Sequence, residues 1–83
     1  MLYQLLRTRP TGVTKSQKPF RTPYAAAMAA SWVLTHKGVG YHDAMRLVTR
    51  MRRAGVGQAI RHAGTGYTFR IAIYNPPTDE GLA

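Results

Sequence analysis

The sequence predicts an α+β fold in the order strand, helix, helix, strand, strand: a three-stranded antiparallel sheet packed on a helical hairpin. Three observations lead there. Two consecutive segments carry apolar residues at helical spacing and are closed by glycine, at residues 23–37 and 41–54. A later segment, residues 67–74, alternates apolar and polar residues with a period of two. The chain has 83 residues and no cysteine, which allows a single domain with a thin core and no disulfide or thiolate metal site to reinforce it.

Residues 1–9 read as the first strand, because Leu2, Gln4, Leu6 and Thr8 alternate with Tyr3, Leu5, Arg7 and Arg9 until Pro10 stops them. A basic loop follows at residues 10–22, with Gly12, Pro19 and the cations Lys15, Lys18 and Arg21, and a loop this long in so small a domain is expected to be mobile or functional. Thr22 then supplies a hydroxyl N-cap and Pro23 the first helical position. On this first helix Ala25, Met28, Ala29, Trp32 and His36 share one side, while Ala26, Ala30, Val33 and Leu34 cover another. Only Ser31 and Thr35 are left as a polar strip, so the helix is expected to lie between two partners, with His36 in the core or an interface. The second of those partners is expected to be the sheet or another subunit, which suggests a homodimer through this helix.

Gly38 and Gly40 turn the chain into the second helix, whose faces separate cleanly. Ala44, Leu47, Val48 and Met51 form an inward stripe, and Arg46, Arg50 and Arg53 lie within about 60° of one another outside, flanked by His42 and Thr49. Gly55 ends the helix, and residues 56–62 and 67–74 are expected to form a hairpin about residues 63–66, with Tyr67, Phe69, Ile71 and Ile73 toward the helices. Pro76 and Pro77 close the last strand, and residues 78–83 read as a loose acidic tail within residues 75–83.

Charge bounds the function. Twelve Lys and Arg stand against three acids, a net charge of +9, and residues 1–42 hold six of the cations and no acid. A body so charged attracts polyanions or an acidic protein surface. Catalysis is hard to assemble: there is no cysteine, no carboxylate pair outside the tail, and His42 and Asp43 diverge by about 100° as helix neighbours. No spacing suits a metal or an organic cofactor, so the chain is expected to be neither an enzyme nor a cofactor carrier. The longest apolar run, residues 24–34, is too short to cross a bilayer and the N-terminus has no leader pattern, so a cytoplasmic protein without a membrane partner is expected.

The arginines of the second helix are the leading functional candidate. Solvated helix faces mix signs through i,i+4 pairs, whereas this one uses arginine alone, the residue suited to bidentate contact with phosphate or a guanine edge. The segment THKGVGYHDA at residues 35–44, then RLVTRMRRAGV at 46–56 and QAIRHAGTGY at 58–67, resembles a winged helix-turn-helix DNA-binding domain over residues 23–74. The resemblance implies that His42, Arg46, Thr49 and Arg50 face the major groove. It implies that Arg53, Arg61, His62 and Thr65, with Lys37 nearby, meet the backbone or the minor groove. The sequence departs from the family in having a strand and a basic loop (Arg9, Lys15, Lys18, Arg21) where a helix usually precedes the pair, and Gly40 where Ser or Thr usually caps.

Two other functions fit the composition. In size and in lack of catalytic residues the chain is similar to small phage and mobile-element inhibitors, anti-CRISPR proteins among them. Trp32, Tyr3, Tyr24, Tyr41, Tyr74 or the arginines would then anchor a protein interface. An RNA-associated basic protein would use Tyr67, Phe69 or Tyr74 to stack bases, although Phe69 fits the core better.

Overall fold

Strand β1, Tyr3–Arg9, and strand β4, Thr68–Ile73, form the centre of the sheet in the computed structural model, which describes residues 1–9, 11–15 and 19–74. Expectations for the tail at 75–83, and for Lys18 in the basic loop, fall outside the described residues. Between the two central strands run β2 (Gly12–Lys15), α1 (Pro23–His36), α2 (Tyr41–Ala54) and β3 (Ala59–Arg61). The sheet has four strands in the order β2-β1-β4-β3, all neighbours antiparallel.

The expected three-stranded sheet is therefore corrected by one strand. Part of the basic loop pairs with β1, placing Gly12 opposite Arg9 and Lys15 opposite Leu6. Phe20 continues along the same edge, exchanging two backbone hydrogen bonds with Tyr3 at 2.8 and 2.7 Å. The strand after α2 is shorter than expected and begins at Ala59, although Gly57 N–H already donates to Ile71 C=O at 2.8 Å.

Register decides what faces the helices. Tyr3, Leu5 and Arg7 lie opposite Ile73, Ile71 and Phe69, and directly opposed residues share a face. Leu5, Phe69 and Ile71 are buried there against Ala26, Ala27, Ala30 and Leu34 of α1 and Ala44, Leu47, Val48 and Met51 of α2. Ile73 lies beyond this cover and is exposed. Arg7 completes the row with its guanidinium 5.5 Å from the centre of the Tyr67 ring, its aliphatic stem serving where an apolar residue would.

Helix α1 starts where the cap sets it: Thr22 Oγ1 accepts from Ala25 N–H at 3.1 Å, with Pro23 at the first position. Its orientation differs from the wheel drawn above. Ser31 is buried, its hydroxyl donating to Met28 C=O at 2.6 Å, whereas Trp32 is 65% exposed and His36 is also in solvent. A buried serine that satisfies its own hydroxyl within the helix costs little, so the three buried alanines set the packing and draw Ser31 in with them. Helix α2 has no side-chain cap at Gly40 and ends at Gly55, whose φ of 83° lets the chain reverse while its N–H donates to Met51 C=O.

Phe69 fills the junction of both helices and the sheet without exposure. Phe69→Ala is expected to cost about 3–5 kcal/mol, comparable with the whole stability of so small a domain, and Thr22→Ala about 1 kcal/mol. Urea titration followed by circular dichroism checks both; a Phe69→Ala midpoint close to that of the parent chain would contradict this packing.

Candidate nucleic-acid interface

The stripe on α2 is built by the same periodicity that buries the helix. With Ala44, Leu47, Val48 and Met51 inward, His42, Arg46, Thr49, Arg50 and Arg53 are all exposed on the other side. Positions 46, 50 and 53 span about 10 Å of helix at the usual rise per residue. Two of the side chains are partly engaged. Thr49 Oγ1 donates to Met45 C=O at 3.1 Å, and Arg50 Nη1 donates to Arg61 C=O at 3.3 Å. That second bond joins the stripe to the edge strand β3. On the flank nearer α1, Arg52 lies over the Tyr24 ring at 4.8 Å, and Thr49, Arg52 and Arg53 line a shallow hollow of about 320 Å³.

The turn between β3 and β4 is held by His62, which is 6% exposed. Its Nδ1 lies 3.2 Å from Thr65 N–H and 2.9 Å from Thr65 Oγ1, and its Nε2 lies 3.0 Å from Asp43 Oδ2. A backbone N–H can only donate, so Nδ1 accepts and Nε2–H donates to the carboxylate. Thr65 Oγ1 accepts in turn from Tyr67 N–H at 3.3 Å. One imidazole thus ties the turn to the first turn of α2, where Asp43 also suits the helix dipole.

The candidate residues consequently divide. Arg46, Arg50 and Arg53, with His42 and Thr49, form one exposed surface on α2, and Lys37 is exposed at the C-cap of α1. His62 and Thr65 are committed to each other, and the His62 ring is enclosed rather than presented to solvent. Arg61 is exposed, but it pairs with Thr68, which is opposite Thr8, so its side chain belongs to the sheet face turned away from the helices. What Arg61 offers α2 is its carbonyl. Of the loop cations, Arg21 is exposed before α1, Lys15 ends β2, and Arg9 at the end of β1 has a buried Nε with no hydrogen-bond partner among the described residues.

Three contacts carry no signal in the sequence: Asp43 with His62, Arg7 with Tyr67, and Arg52 with Tyr24. Each joins residues distant along the chain. For the RNA alternative, Phe69 is fully buried and Tyr67 is half-buried, edge-on to Phe69 at 6.2 Å beneath Arg7, so Phe69 offers no stacking face.

Among the described residues no acid compensates the stripe. Asp43 is the one acid among the described residues, and it bonds His62 rather than an arginine. Among those residues no group of three or more His, Asp or Glu could hold a metal ion, and no helix is long and apolar enough to cross a membrane. No protein-family model, curated protein or solved structure matches the chain.

His62→Ala leaves Thr65 N–H without its acceptor and frees Asp43. The carboxylate is 57% exposed and water replaces its bond, so the expected loss is about 1–2 kcal/mol, from the buried side of the network. Long-range nitrogen–proton NMR of the ring is expected to place the proton on Nε2; a proton on Nδ1 alone would contradict the assignment.

Proposed function

We propose that this chain is a small non-enzymatic module that binds duplex DNA, with α2 entering the major groove and the β3–β4 turn beside it as a wing. The observation that carries the proposal is the exposed arginine face of α2, unpaired with any described carboxylate and fixed to the hairpin by the Arg50–Arg61 and Asp43–His62 contacts. A helix fits a major groove about 12 Å wide, and the 10 Å from position 46 to position 53 matches roughly three base-pair steps. The run of helix, glycine turn, second helix and hairpin supports the winged helix-turn-helix likeness. The β1–β2 hairpin is a departure from it, occupying the place of the family's usual first helix.

The placement of side chains sharpens the roles. Arg46 and Arg50, with His42 and Thr49, would meet base edges, and Arg53 and Lys37 would meet phosphates. His62 and Thr65 would act by shaping the turn rather than by touching the nucleic acid. Arg61 would reach a backbone only if the duplex wraps past the sheet edge.

A protein partner is the second possibility, and the exposed rings of Trp32, Tyr24 and Tyr41 favour it. The same arginines would then face carboxylates on a larger acidic protein, as in an inhibitor or adaptor.

Titration of duplex DNA, single-stranded DNA and RNA at several salt concentrations separates these outcomes. A groove reader is expected to prefer duplex up to about 0.2 M salt with a log–log slope of about −4 to −8. Arg50→Ala is expected to cost about 1–3 kcal/mol and relax sequence preference, whereas Arg53→Ala weakens all sequences alike and lowers the slope by about one. Binding that is equally weak to all three polymers and absent at physiological salt would sink the DNA proposal.

A further inference from the structure

Helix α1 contains no Asp, Glu, Lys or Arg in its 14 residues, within a chain of net charge +9. Its buried arc is Ala26, Ala27, Ala30, Ser31 and Leu34. The opposite arc is centred on Ala25 and the exposed Trp32, with the His36 ring 5.7 Å from the indole, and Met28 and Ala29 form its two borders, each half-buried with one side against the core. A tryptophan side chain can bury about 200 Å² of mostly apolar surface, and the described residues leave Trp32 65% exposed.

Charge narrows what can cover it. An acidic partner is drawn to the arginines of α2 and finds no complementary charge on α1. A second copy of the chain is repelled wherever arginine would meet arginine, and the outer face of α1 is where two copies can meet without that cost. Side-chain size then supplies the fit. Along the strip the order is Ala25, Met28, Ala29, Trp32: small, large, small, large. In an antiparallel two-fold crossing centred between positions 28 and 29, Trp32 falls on Ala25 of the second copy and Met28 on Ala29 of the second copy. Each large side chain meets a small one, in both directions, as a self-complementary two-fold contact requires. The spacing i, i+3, i+4, i+7 is that of a helix–helix seam, and the alanines permit an axial separation of about 8–10 Å.

We propose that the chain forms a two-fold homodimer through the uncharged face of α1, with Trp32 of each copy seated on Ala25 of the other. Specific interfaces begin at about 1,000 Å² in total, and a seam of one 14-residue helix per copy lies near that lower limit, so assembly is expected to be weak and concentration-dependent. Salt strengthens it by screening the repulsion between two cationic bodies. The arginines of α2 remain outside the contact, and the dimer does not depend on what they bind.

Sedimentation velocity on the full chain, without nucleic acid, tests this between about 1 and 300 µM at physiological and at about 0.5 M salt. The expected result is a concentration-dependent passage from monomer to dimer, more complete at high salt, with the emission of the single tryptophan moving to the blue over the same range. Trp32→Glu is expected to be monomeric throughout. Ala25→Trp, which sets tryptophan against tryptophan, is expected to weaken association at least tenfold. The exchange variant Ala25→Trp/Trp32→Ala restores large against small and is expected to recover the dimer. All three changes lie on the outer face of α1, so circular dichroism is expected to match the parent chain. A parent chain that stays monomeric at the highest concentration and salt, or a Trp32→Glu chain that dimerises equally well, would overturn the dimer. An exchange variant that does not recover association would overturn the antiparallel seam. DNA binding of the Arg50 variant is read separately on a single site at concentrations below dimerisation, so failure of one proposal leaves the other intact.

Discussion

The pairing of β1 with β4 is the constraint on which the other elements depend. It joins residues at nearly opposite ends of the described chain, Tyr3 beside Ile73, and closes everything between them into one loop. The entropy of closing so long a loop is recovered by the side chains the pair presents together, Leu5, Ile71 and Phe69 on the face that receives both helices. β2 and β3 are short and attach at either side. Neither has enough of its own surface to persist without the central pair.

From that pair the geometry of the arginines follows. Phe69 and Ile71 fix where α2 can bury Leu47 and Met51, and burying those positions turns 46, 50 and 53 outward. β4 also holds β3, whose Arg61 carbonyl meets Arg50, and leads back to Tyr67, whose carbonyl accepts from His62 N–H at 2.7 Å. The stripe and the turn are therefore positioned by one sheet rather than by a mobile connection, which is what a preorganised binding surface needs. The position of Asp43 has an electrostatic consequence. A carboxylate directed at Arg46 or Arg50 would neutralise part of the stripe, and its bond to His62 turns it toward the hairpin instead.

Legibility in the sequence followed how local each determinant is. Both helices could be read because Thr22, Pro23, Gly38, Gly40 and Gly55 act within a few residues of themselves. The inward stripe of α2 could be read because its polar face contrasts so strongly with the apolar one. α1 offers no such contrast, so periodicity could not say which arc of an almost wholly apolar helix faces inward, and Ser31 and Trp32 exchanged places. β2 was hidden for a different reason. Its four residues, GVTK, include an exposed Val13 and carry no alternation, and they become a strand because β1 supplies the partner. The enclosure of His62 is not legible in the sequence because its acceptor, Asp43, lies 19 residues away in another element.

The two helices thus solve opposite problems with the same length. α2 separates its buried apolar stripe from its arginines, so the arginine face favours something negative. α1 carries no charge on either arc, so its outer face gains nothing from a polyanion and loses free energy in water. If α1 served only to complete the core, its buried arc with Met28 and Ala29 at the borders would suffice, and polar residues at 25 and 32 would raise solubility without disturbing the packing. Apolar residues at both positions, on the helix adjoining a repulsive arginine face, fit a surface that is covered when the protein works.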